Sequence, residues 1–108
     1  MVKKKKLPVI WDRIAKKHLD NIYDFIATDS LSSARKVKKE LIKLAHSLSD
    51  FPEKFSTEQY LAYELENFRS VSKWSYKIIY EVTDDFVIIV DVFHTSQHPS
   101  KMLGNEDE

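Results

Sequence analysis

Arg69 and His94 are the residues in this chain best suited to chemistry. Arginine can clamp a phosphate or carboxylate through two parallel hydrogen bonds, and histidine can move protons near neutral pH. Lys73, Lys77, His98 and Lys101 stand close enough in sequence to be neighbours at a sheet rim. Together they fit a metal-free ribonuclease in which a 2′-hydroxyl is the nucleophile. The competing reading is structural, with Arg69 paired to Asp91 or Glu66 as packing glue. Other chemistries lack their residues. Gly104 is the only glycine, so no glycine-rich loop can cradle a phosphate. There is no cysteine, which removes thiolate metal sites and disulfides. His94 and His98 are four residues apart, but Pro99 argues against a helix that would bring them together, so neither a metal nor a cofactor is expected. No nucleophile sits in an elbow or triad motif.

The stretch that must position these groups is FRSVSKWSYKIIYEVTDDFVIIVDVFH, 68–94. Its aromatic and β-branched content predicts strands. Phe68–Val71 is expected as one strand, Ser72–Trp74 as a turn and Ser75–Val82 as the next strand. Thr83-Asp84-Asp85 is then a turn in which the Asp side chains bond their own backbone, and Phe86–Phe93 the last strand. Alternation puts Tyr76, Ile78, Tyr80 and Val82 on one face and Lys77, Ile79 and Glu81 on the other. Val87–Val90 is continuously apolar, as in a strand covered on both faces. Asp91 interrupts it and should sit near an edge or beside a cation.

Upstream, Leu7–Trp11 reads as a short edge strand, because Pro8 has no N–H to give a ladder. Asp12 suits a helix N-cap. Ile14, Ala15, Leu19, Ile22, Tyr23 and Ile26 then recur at helical spacing up to about Thr28. His18 borders that stripe and reads as a half-buried packing residue. Asp29 or Ser30 can cap a second helix, whose apolar face is Ala34, Val37, Leu41, Leu44, Ala45 and Leu48. The basic run Arg35-Lys36-Val37-Lys38-Lys39 reads as a solvated face rather than a phosphate track. The short break makes the two helices an antiparallel hairpin, and each face needs a flat surface to pack on. Pro52 closes the second helix. Glu53–Glu58 reads as a loop, and Tyr60–Leu65 fits a strand or a helical turn equally.

The expected fold is thus α+β: an N-terminal strand and a helical hairpin on a small antiparallel sheet. It forms a single domain over 7–103, with a basic tail at 1–6 and an acidic one at 104–108. Seventeen basic residues balance seventeen acidic ones, which weakens any case for strong non-specific nucleic-acid binding. No apolar run approaches a membrane span of about 20 residues, and no apolar core follows the N-terminal lysines as a signal peptide requires. A cytoplasmic protein with no membrane partner is expected.

The order of these segments resembles the RelE/ParE toxin superfamily of bacterial type II toxin–antitoxin modules, the plasmid-stabilisation type. WDRIAKKHLDNIYDFIATDS, LAHSLSDFP and FRSVSKWSYKIIYEVTDDFVIIVDVFHTSQHP carry the likeness. Ala15, Leu19, Ile22, Phe25-Ile26, Leu48, Phe51-Pro52, Arg69, Tyr76, Ile78-Ile79-Tyr80, Asp84-Asp85 and His94 fill the family's positions. The resemblance implies a toxin neutralised by a cognate antitoxin, which docks on apolar residues left on the helical hairpin and the sheet edge. It also implies one of two targets. ParE-like members poison DNA gyrase; RelE-like members cleave mRNA in the ribosome with basic residues on the sheet. Of the second set only Arg69 and His94 match. Glu53-Lys54-Phe55 stands where glycine is usual, and Thr95-Ser96-Gln97-His98 where a tail arginine is common. A neutral chain also suits the phosphate-dense ribosomal site poorly. The reading is therefore ParE-like, with an mRNA interferase as the alternative and a non-toxic interaction module as a second.

Overall fold

The computed structural model describes residues 6–50 and 68–96. The expectations for 51–67, for the tails and for His98 and Lys101 lie outside them. Within them the elements are β1 (Val9–Trp11), α1 (Arg13–Ala27), α2 (Leu31–Ser47), β2 (Phe68–Lys73), β3 (Tyr76–Val82) and β4 (Val87–His94).

Both helices start where a side chain can take an orphan backbone N–H. Asp12 accepts from Ile14 N at 2.9 Å and Ser30 from Ser33 N at 3.1 Å. Such caps are worth about 1 kcal/mol. Ser30→Ala is therefore expected to lower unfolding free energy by about that amount, measured by urea denaturation, while Ser30→Gly costs a few tenths.

The sheet order is β1-β4-β3-β2. β2, β3 and β4 are antiparallel, as expected, and β1 joins parallel to β4, so the complete sheet is mixed. β1 is an edge strand, and the carbonyl of Pro8 still accepts from Val87 N at 2.9 Å. β4 is central. Its continuous apolar run serves two faces, with Val87 and Ile89 toward the helices and Val90 against a cluster of Phe68, Ile79 and Phe93 on the far side.

The helical hairpin covers the first face. Leu19, Leu41, Ala45 and Leu48 pack with Val71, Ile78, Tyr80, Val87, Ile89 and Val92. Ala15, Ala34 and Ala45 are fully buried, and their small side chains let helix and neighbour approach closely.

Two turns depart from expectation. β2 runs on to Lys73, so the turn is Trp74-Ser75 rather than Ser72–Trp74. Lys73 pairs with Tyr76, leaving a two-residue hairpin loop, and Trp74 takes φ +55°. Such loops need positive φ at their first central residue, which glycine adopts freely and a bulky residue does at a cost of about 1 kcal/mol. In the second turn Thr83, not the aspartates, makes the local bonds. Its hydroxyl accepts from Asp85 N and Phe86 N at 3.2 and 3.0 Å and donates to the Phe86 carbonyl at 2.9 Å. A Thr hydroxyl can donate as well as accept, so it closes both sides of the loop where a carboxylate could close one.

Candidate functional site

The strand register decides which candidate residues meet. Arg69 lies opposite Tyr80, whereas His94 lies opposite Tyr76. Those rows are four residues apart on β3, and β3 also separates the two strands. At about 3.3 Å per residue and 4.8 Å per strand, Arg69 and His94 stand roughly 15 Å apart. They share the helix-facing side of the sheet but stand in different rows. Lys77 pairs with Ser72 and Phe93 and falls on the opposite face. The six candidates therefore do not form one cluster: Lys77 is turned away, and His98 and Lys101 lie outside the described residues.

Lys73 and His94 do share a row. Lys73, Tyr76 and His94 lie side by side across β2, β3 and β4 at the hairpin end. The Tyr76 and His94 rings meet edge to face, with centroids 5.4 Å apart. Ser96 sets the imidazole's polarity. Its backbone N–H donates to His94 Nδ1 at 3.1 Å, with its hydroxyl 2.8 Å from the same atom. Nδ1 is thus an acceptor, and in the neutral ring the proton sits on Nε2.

Lys73 reaches two ways. Its Nζ lies 3.6 Å from Glu40 Oε1 on α2 and 5.0 Å from the centroid of the Trp74 indole. The indole residue is 55% exposed. Sequence reasoning placed Trp74 in a turn but did not foresee its contact with Lys73, and it missed Tyr76 as a neighbour of His94, because register is not visible until the strands are paired.

The one buried charged group among the described residues is elsewhere. Asp91 has no solvent exposure although β4 is central rather than an edge. His18 Nδ1 donates to its Oδ1 at 2.6 Å, and Val92 N donates to the same oxygen at 2.8 Å. A bulge makes this possible. Tyr80 pairs with Ile89 and Ile79 with Asp91, so Val90 is an extra residue and the strand re-aims after it. His18 is half-buried as expected, but it is a hydrogen-bonding partner and not only packing.

Among the described residues no group of three His, Asp or Glu converges as a metal site, and no helix is long and apolar enough to cross a membrane. Ile10, Phe25 and Leu31 remain exposed, on the edge strand and at the tip of the helical hairpin.

This arrangement has counterparts in known folds. The chain is similar to a chain of the chromosomal ParDE toxin–antitoxin system of P. aeruginosa, with TM-score 0.67 at 17% identity, covering 82% of this chain and 96% of that one. It is likewise similar to a chain of the RelBE2 toxin–antitoxin complex of Mycobacterium tuberculosis, with TM-score 0.64 at 18% identity, covering 88% and 98%. At these identities the likeness is one of fold. No curated protein sequence matches significantly. Residues 9–99 match the model of the ParE toxin of the type II toxin–antitoxin system parDE. That span holds every described element from β1 to β4, and the chain belongs to this family of toxins.

Proposed function

We propose that this toxin acts as a ParE-like poison of DNA gyrase and is neutralised by a cognate antitoxin. The observation that carries the reading is the family match over 9–99. The separation of Arg69 from His94 across two rows, with Lys77 on the far face, supports it, because a metal-free ribonuclease needs its cationic and proton-transfer groups around one phosphate. The exposed Ile10, Phe25 and Leu31 suit an antitoxin that lays an apolar segment on the helical hairpin and sheet edge.

Purified toxin is expected to inhibit supercoiling of relaxed plasmid by gyrase and to accumulate cleaved gyrase–DNA complexes. Unchanged supercoiling and cleavage at saturating toxin would overturn the proposal. His94→Ala should leave this inhibition within about twofold, since nothing in a binding mechanism requires proton transfer.

The Lys73–Tyr76–His94 row favours one alternative, a ribosome-dependent mRNA interferase. On that reading His94→Ala would lower codon-resolved mRNA cleavage in a translating extract by about 10²-fold or more. The two outcomes for one variant separate the mechanisms.

A further inference from the structure

The second helix carries its positive charge on one side. With about 3.6 residues per turn, Arg35, Lys36, Lys39 and Lys43 fall in one arc opposite the buried Ala34, Leu41 and Ala45. All four are exposed. Arg35 and Lys36 both stand one turn from Lys39, and Lys39 stands one turn from Lys43, so like charges lie side by side. On α1 the sequence interleaves the two signs: Lys16 has Asp20 four residues on, and Asp20 also meets Lys38 at 3.3 Å. The only acid within α2 is Glu40, which faces Lys73. Among the described residues, no ion pair or side-chain hydrogen bond engages the four cations.

The chain is neutral as a whole, so matching negative charge lies elsewhere in it. Its densest negative run is Glu106-Asp107-Glu108, and no basic residue follows Lys101. The topology brings this run within reach of α2. Lys73, Tyr76 and His94 share a row, and Lys73 touches Glu40 in the middle of α2, so the chain leaves β4 beside that helix. Two strand spacings of about 4.8 Å and a helix roughly 10 Å thick separate that exit from the cationic arc. Glu106 lies ten residues beyond Ser96, a span of up to about 33 Å.

We propose that Glu106-Asp107-Glu108 docks in cis on the Arg35–Lys36–Lys39–Lys43 face of α2, an electrostatic clasp that covers the toxin's most cationic surface. Single exposed ion pairs are weak. Tethering offsets this, because a short linker holds the acids at an effective concentration on the order of millimolar. The clasp opens as salt rises, and while closed it keeps α2 from other polyanions. It is independent of which target the toxin acts on.

The chain has no cysteine, so Asn105→Cys accepts a single nitroxide spin label on the full-length toxin. At about 0.01 M salt the amide signals of residues 35–43 should lose half or more of their intensity, and at about 1 M they should recover. Combining the label with Glu106→Gln, Asp107→Asn and Glu108→Gln should abolish the loss, as should Lys39→Glu with Lys43→Glu. Labelled chain mixed with unlabelled ¹⁵N chain should leave the α2 signals intact. The acid-to-amide triple variant should also elute from immobilised heparin at higher salt than an equally charged control, Asp24→Asn with Asp84→Asn and Asp85→Asn. Unchanged α2 signals at low salt overturn the proposal, and so does a loss that survives neutralising the three acids. Equal loss in the mixed sample overturns docking in cis, because the acids then reach a second copy. Equal elution of the two triple variants overturns the covering of α2.

Discussion

His18→Ala is expected to destabilise the fold by about 3 kcal/mol, far beyond what a partly exposed helix position normally costs. The reason lies at the other end of the contact. Asp91 is fully buried in the central strand, and the His18 imidazole holds its Oδ1 at 2.6 Å. Removing the imidazole takes a short hydrogen bond from that buried oxygen, which also accepts from the Val92 N–H. Taking a hydrogen-bond partner from a buried polar group typically costs about 1–3 kcal/mol, and more when that group is charged, which places this case at about 3 kcal/mol. Replacing both residues is a different matter. His18→Leu combined with Asp91→Leu removes the polar groups together, so the double variant should be more stable than the sum of its single changes predicts. Urea denaturation of the four proteins gives the coupling directly. A coupling under about 0.5 kcal/mol would show that the pair contributes little beyond additive packing.

Leu41→Ala should be comparably damaging, at about 3 kcal/mol within the 2–5 expected for a buried leucine. Leu41 has no exposure and sits in the middle of α2, within the cluster that joins the helical hairpin to Ile78, Tyr80 and Ile89. Its neighbour in sequence, Glu40, faces out to Lys73. A cavity at 41 therefore loosens both the core and the strut beneath the hairpin tip. For a domain this size the thermal midpoint should fall by roughly 10 °C or more. Leu41→Met, which nearly conserves volume, should cost less than about 1.5 kcal/mol. A similar loss for both substitutions would mean that the site does not depend on volume.

Elements with strong local signals are legible in the amino-acid sequence itself. Asp12 and Ser30 cap the helices they precede, and alternation from Tyr76 to Val82 assigns the faces of β3. The VIIV run in β4 marks a strand between two neighbours. Legibility ends where the deciding partner lies far along the chain. His18 and Asp91 are 73 residues apart, and nothing in either neighbourhood names the other. The direction of β1 depends on how the chain returns after two helices. The bulge at Val90 arises between strands and has no local signature, yet it aims Asp91. Turn preferences start the β2–β3 turn too early because Ser72 is a turn-former, whereas pairing with β3 carries β2 on to Lys73. Arg69 and His94 read as one site because they bracket a stretch of sequence. Two changes of strand put them in different rows.

The parallel pairing of β1 with β4 also sets when this toxin can become folded. The first strand waits for the last one, so nearly the whole chain must leave the ribosome before the sheet closes. At about 5–20 residues per second, synthesis of the intervening segment takes several seconds. During that interval the apolar faces of α1 and α2 have no sheet to cover them. Long-range pairing of this kind also slows the final step of folding. A newborn chain thus exposes the apolar faces of both helices until its last strand arrives.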